Sequence, residues 1–268
     1  MTDVTRGARH GSGLARDPRR RWASLARGVG REDLLAGYPD ELLDDLARSC
    51  AERVLDVGCG TGTGSVLLAR RGCAVLGVEP DEEMALAARR IGVEVEIARF
   101  GEWHARGRLF DLVVSGHAWR WVDPAVGPAR AAAVLGPRGR IALVETAVEP
   151  PGRRARQALL GCYESVAPAL VGHAPGLRTP VGGDVVASHV RSLVLSGRFT
   201  TSHTVRYSWE RRYTSAEWVG VAAAESGHVA LDPVRRSALL RRLRAAVDDL
   251  GGEIVVPHAT TCVTAARS

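Results

Sequence analysis

Residues 54–64 read VLDVGCGTGTG, an apolar strand that runs directly into glycines at every second position, Gly58, Gly60, Gly62 and Gly64. Glycines at a strand-to-helix turn permit positive φ and close approach of another group to the backbone, and the helix N-terminus that follows favours an anionic group. A dinucleotide fingerprint requires G-x-G-x-x-G, whereas Thr63 stands where its third glycine would fall. Asp56, ahead of the first glycine, would repel a pyrophosphate but attract an ammonium group. The loop therefore implies a ligand bearing both charges, as an amino acid does.

Working outward, RVLDVGCG is a strand and TGSVLLARRG a helix closed by Gly72, followed by the strand AVLGVEP and the helix EEMALAARRIG. VEVEIARF, FDLVVSG and GRIALVET supply three more strands, the last after the helix GPARAAAVLG and the turn PRG. Short apolar runs alternating with helices predict a parallel sheet covered on both faces, a doubly wound α/β fold. Upstream, REDLLAGYPDELLDDLARSC has the apolar spacing of an amphipathic helix. From Pro150 the pattern changes: helices alternate with a Gly/Pro loop, the alternating strand FTTSHTVRYSW and a closing strand or hairpin GEIVVPHATTCVTAA. The expected organisation is a tail at 1–25 and one domain at 26–268. That domain has a core at about 50–150 and helical cap segments at about 151–186 and 211–250 over the carboxyl edge of the sheet, where open α/β sheets bind ligands.

Glu79 ends the second strand, where an acidic side chain can accept from both hydroxyls of a ribose. An amino acid joined to a nucleoside fits both acids, and S-adenosylmethionine meets that description. The stretch VLDVGCGTGTGSVLLARRGCAVLGVEPDEEMALAARR resembles motifs I and II of the class I S-adenosylmethionine-dependent methyltransferases. FDLVVSGHAWRWVDP and AAAVLGPRGRIALVE are similar to the later motifs of a bacterial subfamily of small-molecule, trans-aconitate-type enzymes. The resemblance implies a seven-stranded Rossmann-like sheet, S-adenosylmethionine as cofactor and S-adenosylhomocysteine as product. Carried over by position, it assigns Gly58, Cys59 and Gly60 to the methionine moiety, Asp56 to its ammonium and Glu79 to the ribose. It further assigns Pro80 and Met84 to the border of the adenine, Phe100 and the Gly101 backbone with Glu102 to the adenine edge, and Ser115 to the cofactor at the end of the fourth strand. Relatives often carry aspartate where Phe100 stands.

Methyl transfer from a sulfonium is an in-line displacement that chiefly needs alignment and exclusion of water. A base is required only if the acceptor must lose a proton, which singles out His117 beyond the fourth strand; a contact to the cofactor methionine is its alternative role. Trp119 and Arg120 are candidates for the acceptor pocket, with an indole wall facing the sulfonium. Trp121 is assigned to packing beneath the sheet. Arg120 replaces a histidine common in relatives, pointing to a carboxylate-bearing acceptor or to a salt bridge. In VRYSWERRY an extended strand puts Tyr207, Trp209, Arg211 and Tyr213 on one face, either lining the pocket or packing on the cap helices. Tyr38, in a Tyr-Pro stretch similar to the subfamily's entry helix, is expected to cover the cofactor.

Composition narrows the partners. All 36 basic residues are arginine, and the net charge of +6 owes much to RGARHGSGLARDPRRRW, which reads as a solvated tail rather than a nucleic-acid arm. The five cysteines show neither zinc spacing nor a disulfide framework, so no metal is expected and a reduced cytoplasm fits. No membrane span or secretory run stands out. The leading expectation is methyl transfer to a small-molecule acceptor, with oligomeric state and methylated atom open. The alternatives are a nucleic-acid methyltransferase and a non-methylating cyclising or binding protein that keeps the cofactor.

Overall fold

The computed structural model describes residues 37–48, 52–177, 183–224 and 226–268, so the basic stretch 1–25 lies outside the described residues. A short helix α1 (Asp40–Arg48) leads in, presenting Leu42, Leu43 and Leu46 to the core. Then come β1 (Arg53–Val57), α2 (Thr63–Ala69), β2 (Ala74–Glu79), α3 (Glu82–Arg90), β3 (Glu94–Ile97) and β4 (Phe110–Gly116). A 3₁₀ turn (Trp119–Trp121), α4 (Gly127–Val134) and β5 (Leu135–Val148) complete the parallel part. Local chemistry sets the boundaries: Asp81 caps α3 by accepting from the Met84 N–H at 3.0 Å, while Gly72 and Gly92 follow α2 and α3 at φ +90°. Val54, Leu55, Val113, Ile141 and Leu143 are fully buried, as a sheet covered on both faces demands.

The second half adds α5 (Arg153–Val166), a 3₁₀ segment (Pro168–His173), α6 (Gly183–Ser196) and β6 (His203–Thr214). It closes with α7 (Ser215–Ala224), α8 (Ser226–Val229), α9 (Pro233–Asp248) and β7 (Glu253–Ala266). Seven strands form one sheet in the order β3-β2-β1-β4-β5-β7-β6, and β7 runs opposite in direction to the other six. The direction of winding reverses between β1 and β4, the switch point at which such sheets open a crevice. The expected seven-stranded doubly wound fold is thus the observed one. Several details differ from the sequence reading. The PRG turn is absorbed into β5 as a bulge, because the partners of Phe110 and Leu112 are Leu135 and Arg140. The strand read as FTTSHTVRYSW starts at His203 and continues through Arg211–Thr214, held by pairing along its length with β7.

Three long strands position the upper structure. β5 pairs with β7 as far as Val148 with His258, and β6 pairs with β7 on to Thr214 with Glu253, so these strands overshoot the carboxyl edge of the parallel sheet. Tyr213, Ile254 and Val256 at the overshooting ends join Leu159, Tyr163, Trp218, Leu239, Leu243 and Val247 in a separate apolar core. The helices α5, α7 and α9 therefore stand over that edge on a core of their own, distinct from the one beneath the sheet.

The two tryptophans of HAWRWVDP exchange the places expected of them. Trp119 is 3% exposed and packs in the main core against Phe100 at 6.0 Å between ring centroids, whereas Trp121 is 55% exposed. The stretch winds into a 3₁₀ turn instead of extending, which rotates the two indoles onto different sides. Trp119 is consequently a core residue and not a wall of the acceptor pocket.

Candidate active site

The glycine loop folds as its sequence demands. Gly58, Gly60 and Gly62 have φ of +72°, +58° and +84°, in the left-handed region that favours glycine. A Cβ on Gly58 would stand 2.3 Å from that of Ala118, and one on Gly62 2.9 Å from that of Ala88. The first glycine lets the loop meet the end of β4; the third lets α2 meet α3. The Cys59 side chain turns away from the ligand side. Its thiol lies against Gly77 of β2 and is buried, which pushes its pKa up, so only its backbone faces the loop.

Two acids flank the loop. Asp56 is buried and accepts from the Ser65 hydroxyl at 2.6 Å. Burial raises its pKa to about 6, against the lowering effect of the Ser65 hydrogen bond and with a further rise from the charge of Glu79. A carboxylate desolvated in this way gains most from a cation placed beside it. Glu79, also buried, accepts from the Gly60 N–H at 3.0 Å and the Asp81 N–H at 2.9 Å, which fixes its carboxylate between the loop and the start of α3. Met84 brings its terminal methyl within 3.3 Å of where a Gly60 Cβ would be, and Pro80 adjoins it. Gly101 faces open space and Glu102 is exposed.

Other expected contacts lie elsewhere. Phe100 belongs to the main core beside Trp103 and Trp119, so its ring is occupied in packing. The Ser115 hydroxyl donates to the Val57 carbonyl at 2.8 Å and ties β4 to β1. Tyr38 lies across the loop: its ring is 3.4 Å from where a Gly64 Cβ would stand, and its hydroxyl is 1.9 Å from where one on Gly116 would stand. Only glycine at 116 leaves room for that hydroxyl. Burial, with the nearby charges of Asp56 and Glu145, pushes the Tyr38 phenol upward, so it is a neutral donor.

Beyond β4, His117 adopts φ +59°, rare for a residue with a side chain, and its N–H donates to the Val144 carbonyl at 2.9 Å. Its Nδ1 is 3.4 Å from Oε2 of Glu145, which also receives Arg120; Oε1 of Glu145 is 3.0 Å from Nε2 of the buried His189 on α6. Burial opposes ionisation of Glu145, but the hydrogen bonds from His117 and His189 and the charges of His117 and Arg120 outweigh it and hold its pKa at about 2. Arg120 is therefore in a salt bridge. Neither Glu145 nor His189 was singled out from sequence; the available signal for Glu145 was an acid in the otherwise apolar run IALVET.

On β6, Tyr207, Trp209, Arg211 and Tyr213 do share a face, as alternation predicts, but they divide among three surroundings. Tyr207 donates to Asp45 of α1 at 2.8 Å, so it anchors the edge strand. Trp209 donates to Thr260 at 2.9 Å and stacks on the buried His258 with centroids 4.4 Å apart; Thr260 pairs in turn with Thr146. Tyr213 is buried in the upper core with its hydroxyl 3.1 Å from Nε2 of His258, and Arg211 stacks on its ring. His258, held down in pKa chiefly by burial, was also missed.

A buried acid at β1, a glycine turn and a second acid at the end of β2, arranged at the switch point of a seven-stranded sheet, define a nucleotide-type site in a methyltransferase-like fold. Comparisons with known proteins agree. A family model described as a methyltransferase domain matches residues 54–139. An uncharacterized methyltransferase of Mycobacterium bovis is 30% identical over 237 residues, covering 85% of this chain and 88% of the relative. A trans-aconitate 2-methyltransferase of Pseudomonas aeruginosa is 41% identical over 69 residues, 24% of this chain and 25% of that protein. Among solved structures, one described as a type II methyltransferase from Anaeromyxobacter dehalogenans superposes with a TM-score of 0.60 at 21% identity, over 85% of this chain and 95% of its own, a likeness of fold. The chain belongs to the S-adenosylmethionine-dependent methyltransferase family.

The residues present fit that cofactor: the turn at Gly58, Gly60 and Gly62 presents bare backbone, and the buried acids beside it suit an ammonium and a diol. Among the described residues no helix is long and apolar enough to cross a membrane, and no group of three His, Cys, Asp or Glu side chains could hold a metal ion.

Proposed function

We propose that this chain transfers a methyl group to a small organic acceptor bound between the ends of β4–β5 and the helical cap. The observation that carries the reading is the overshoot of β5, β6 and β7, because it raises Trp209 above the parallel sheet, backed by the buried His258 and hydrogen-bonded to Thr260, beneath helices with a core of their own. A cap of this kind excludes water and admits a small molecule more readily than a folded protein or a duplex.

When bound, S-adenosylmethionine supplies a methyl group on a cationic sulfur that leaves as a neutral thioether. Asp56 would hold the ammonium, the Gly58–Gly60 backbone the methionine chain, Glu79 the ribose hydroxyls, and Pro80, Met84 and the Gly101 backbone the adenine. Tyr38 would close the methionine end, its hydroxyl donating. The half-exposed side chains of His117 and Arg120 border the acceptor side.

The test is a screen of metabolite pools with methyl-labelled cofactor, read by mass spectrometry. Label in a small molecule, with release of S-adenosylhomocysteine, supports the reading. Label confined to nucleic acid or protein would exclude it.

A further inference from the structure

Resting on the methyl-transfer reading above, we infer that Glu145 is a positioning residue that holds His117 as the base for an acceptor hydroxyl. The cluster is built for orientation. Glu145 is a buried acid in an apolar strand, and both of its oxygens are engaged: one by His189, the other by Arg120 and His117. His117 is one of only two side-chain-bearing residues at positive φ among the described residues, the other being Arg106 in a remote turn. Strain at a single residue persists where surrounding contacts fix it, here the hydrogen bond to Val144 and the carboxylate near Nδ1. A carboxylate at Nδ1 keeps the ring proton there and leaves the lone pair on Nε2, the nitrogen turned away from Glu145. The ring is 42% exposed, at the ligand-binding edge of the sheet, and 6.0 Å from that of Tyr38.

Charge decides the acceptor class. The groups facing His117 are Glu145 from β5, Arg120 from the 3₁₀ turn and the neutral Tyr38 ahead of α1; His189 on α6 reaches only Glu145. The charges of Glu145 and Arg120 cancel, so the ion pair offers no net positive field to recruit a carboxylate. A carboxylate is already a nucleophile and needs no base; a hydroxyl must lose its proton as it reacts. In that step the acceptor's O–H bond breaks and its proton passes to Nε2 of His117. An oxygen pair forms the new bond to the methyl carbon, the carbon–sulfur pair returns to sulfur, and the imidazolium later releases the proton to water.

The first measurement needs neither cofactor nor acceptor: nitrogen-15 NMR of the histidines in the full chain, with His117 assigned from the spectrum of His117→Gln. In the wild type His117 should be the Nδ1–H tautomer, and Glu145→Gln should lose that preference. A wild-type ring that carries its proton on Nε2, or an unchanged preference in a folded Glu145→Gln protein, overturns the inference. The second measurement treats products of the labelled metabolite screen with alkali. Label that stays in a methyl ether supports a hydroxyl acceptor; label released as methanol from an ester, or found on nitrogen, overturns it. Absence of S-adenosylhomocysteine binding by calorimetry would overturn the methyl-transfer reading and this inference with it, whereas intact binding with the His117 proton on Nε2 overturns the base alone.

Discussion

The half of the sheet that holds the cofactor residues and the half that carries the cap are assembled on different principles. In the first, the hydrogen bonds that shape the glycine loop and its acids join residues at most 19 apart in sequence: Ser65 to Asp56, Gly60 to Glu79, Met84 to Asp81. In the second, Trp209 reaches Thr260, Thr146 pairs with Thr260, and Glu145 collects His117, Arg120 and His189. The first half is thus a turn that carries its own chemistry. The second is chemistry made where distant strands, a turn and a helix meet.

The sharpest way to break this division is Gly58→Ala. A left-handed residue given a Cβ loses about 1–2 kcal/mol, and contact with Ala118 adds about 1–3 more, so denaturant unfolding should register a loss of about 2–5 kcal/mol. A loss below about 1 kcal/mol would mean that the loop is not held as described.

Next in size is Asp56→Asn. Removing a charged hydrogen-bonding partner of the ammonium should weaken S-adenosylhomocysteine about 10- to 100-fold by calorimetry, with stability little changed or improved, because a buried charge goes with it. The same carboxyl sets a pH dependence. Its folded pKa, about 6, lies above its ordinary value, so the folded state binds the extra proton and loses stability as pH rises towards and through 6. Affinity for the ammonium moves oppositely: it should fall roughly tenfold per pH unit below about 6, and that slope should vanish in Asp56→Asn. An unchanged slope would transfer the effect to another group.

The smallest effect belongs to the other half. Trp209→Phe keeps a ring over His258 but drops the donor to Thr260, costing about 1 kcal/mol of stability. Cofactor affinity should stay within twofold while acceptor turnover falls. A matching fall in cofactor affinity would show that the two halves are not separable.

Much of this was legible in advance. Strand period, the glycine spacing and the placing of Asp56 and Glu79 follow from residues close together, and so does the shared face of Tyr207, Trp209, Arg211 and Tyr213. What could not be read is who meets that face. Tyr207 goes to α1 and Tyr213 into the cap core because β6 is an edge strand whose two ends border different layers. Trp119 and Trp121 were misassigned because a 3₁₀ turn and an extended strand are equally compatible with so short a segment. Ser115 looked like a ligand by position, yet its hydroxyl is satisfied by β1.

By itself, then, the chain determined its sheet, its turn and the pair of acids beside it, since backbone conformation and desolvation act over a few residues. The antiparallel insertion of β7 between β5 and β6, and with it the cap, the Trp209–His258 stack and the contact of Glu145 with His117, was decided by tertiary structure. Those contacts depend on register between distant strands and on which faces the packed helices leave open, quantities that exist only once the whole sheet has closed.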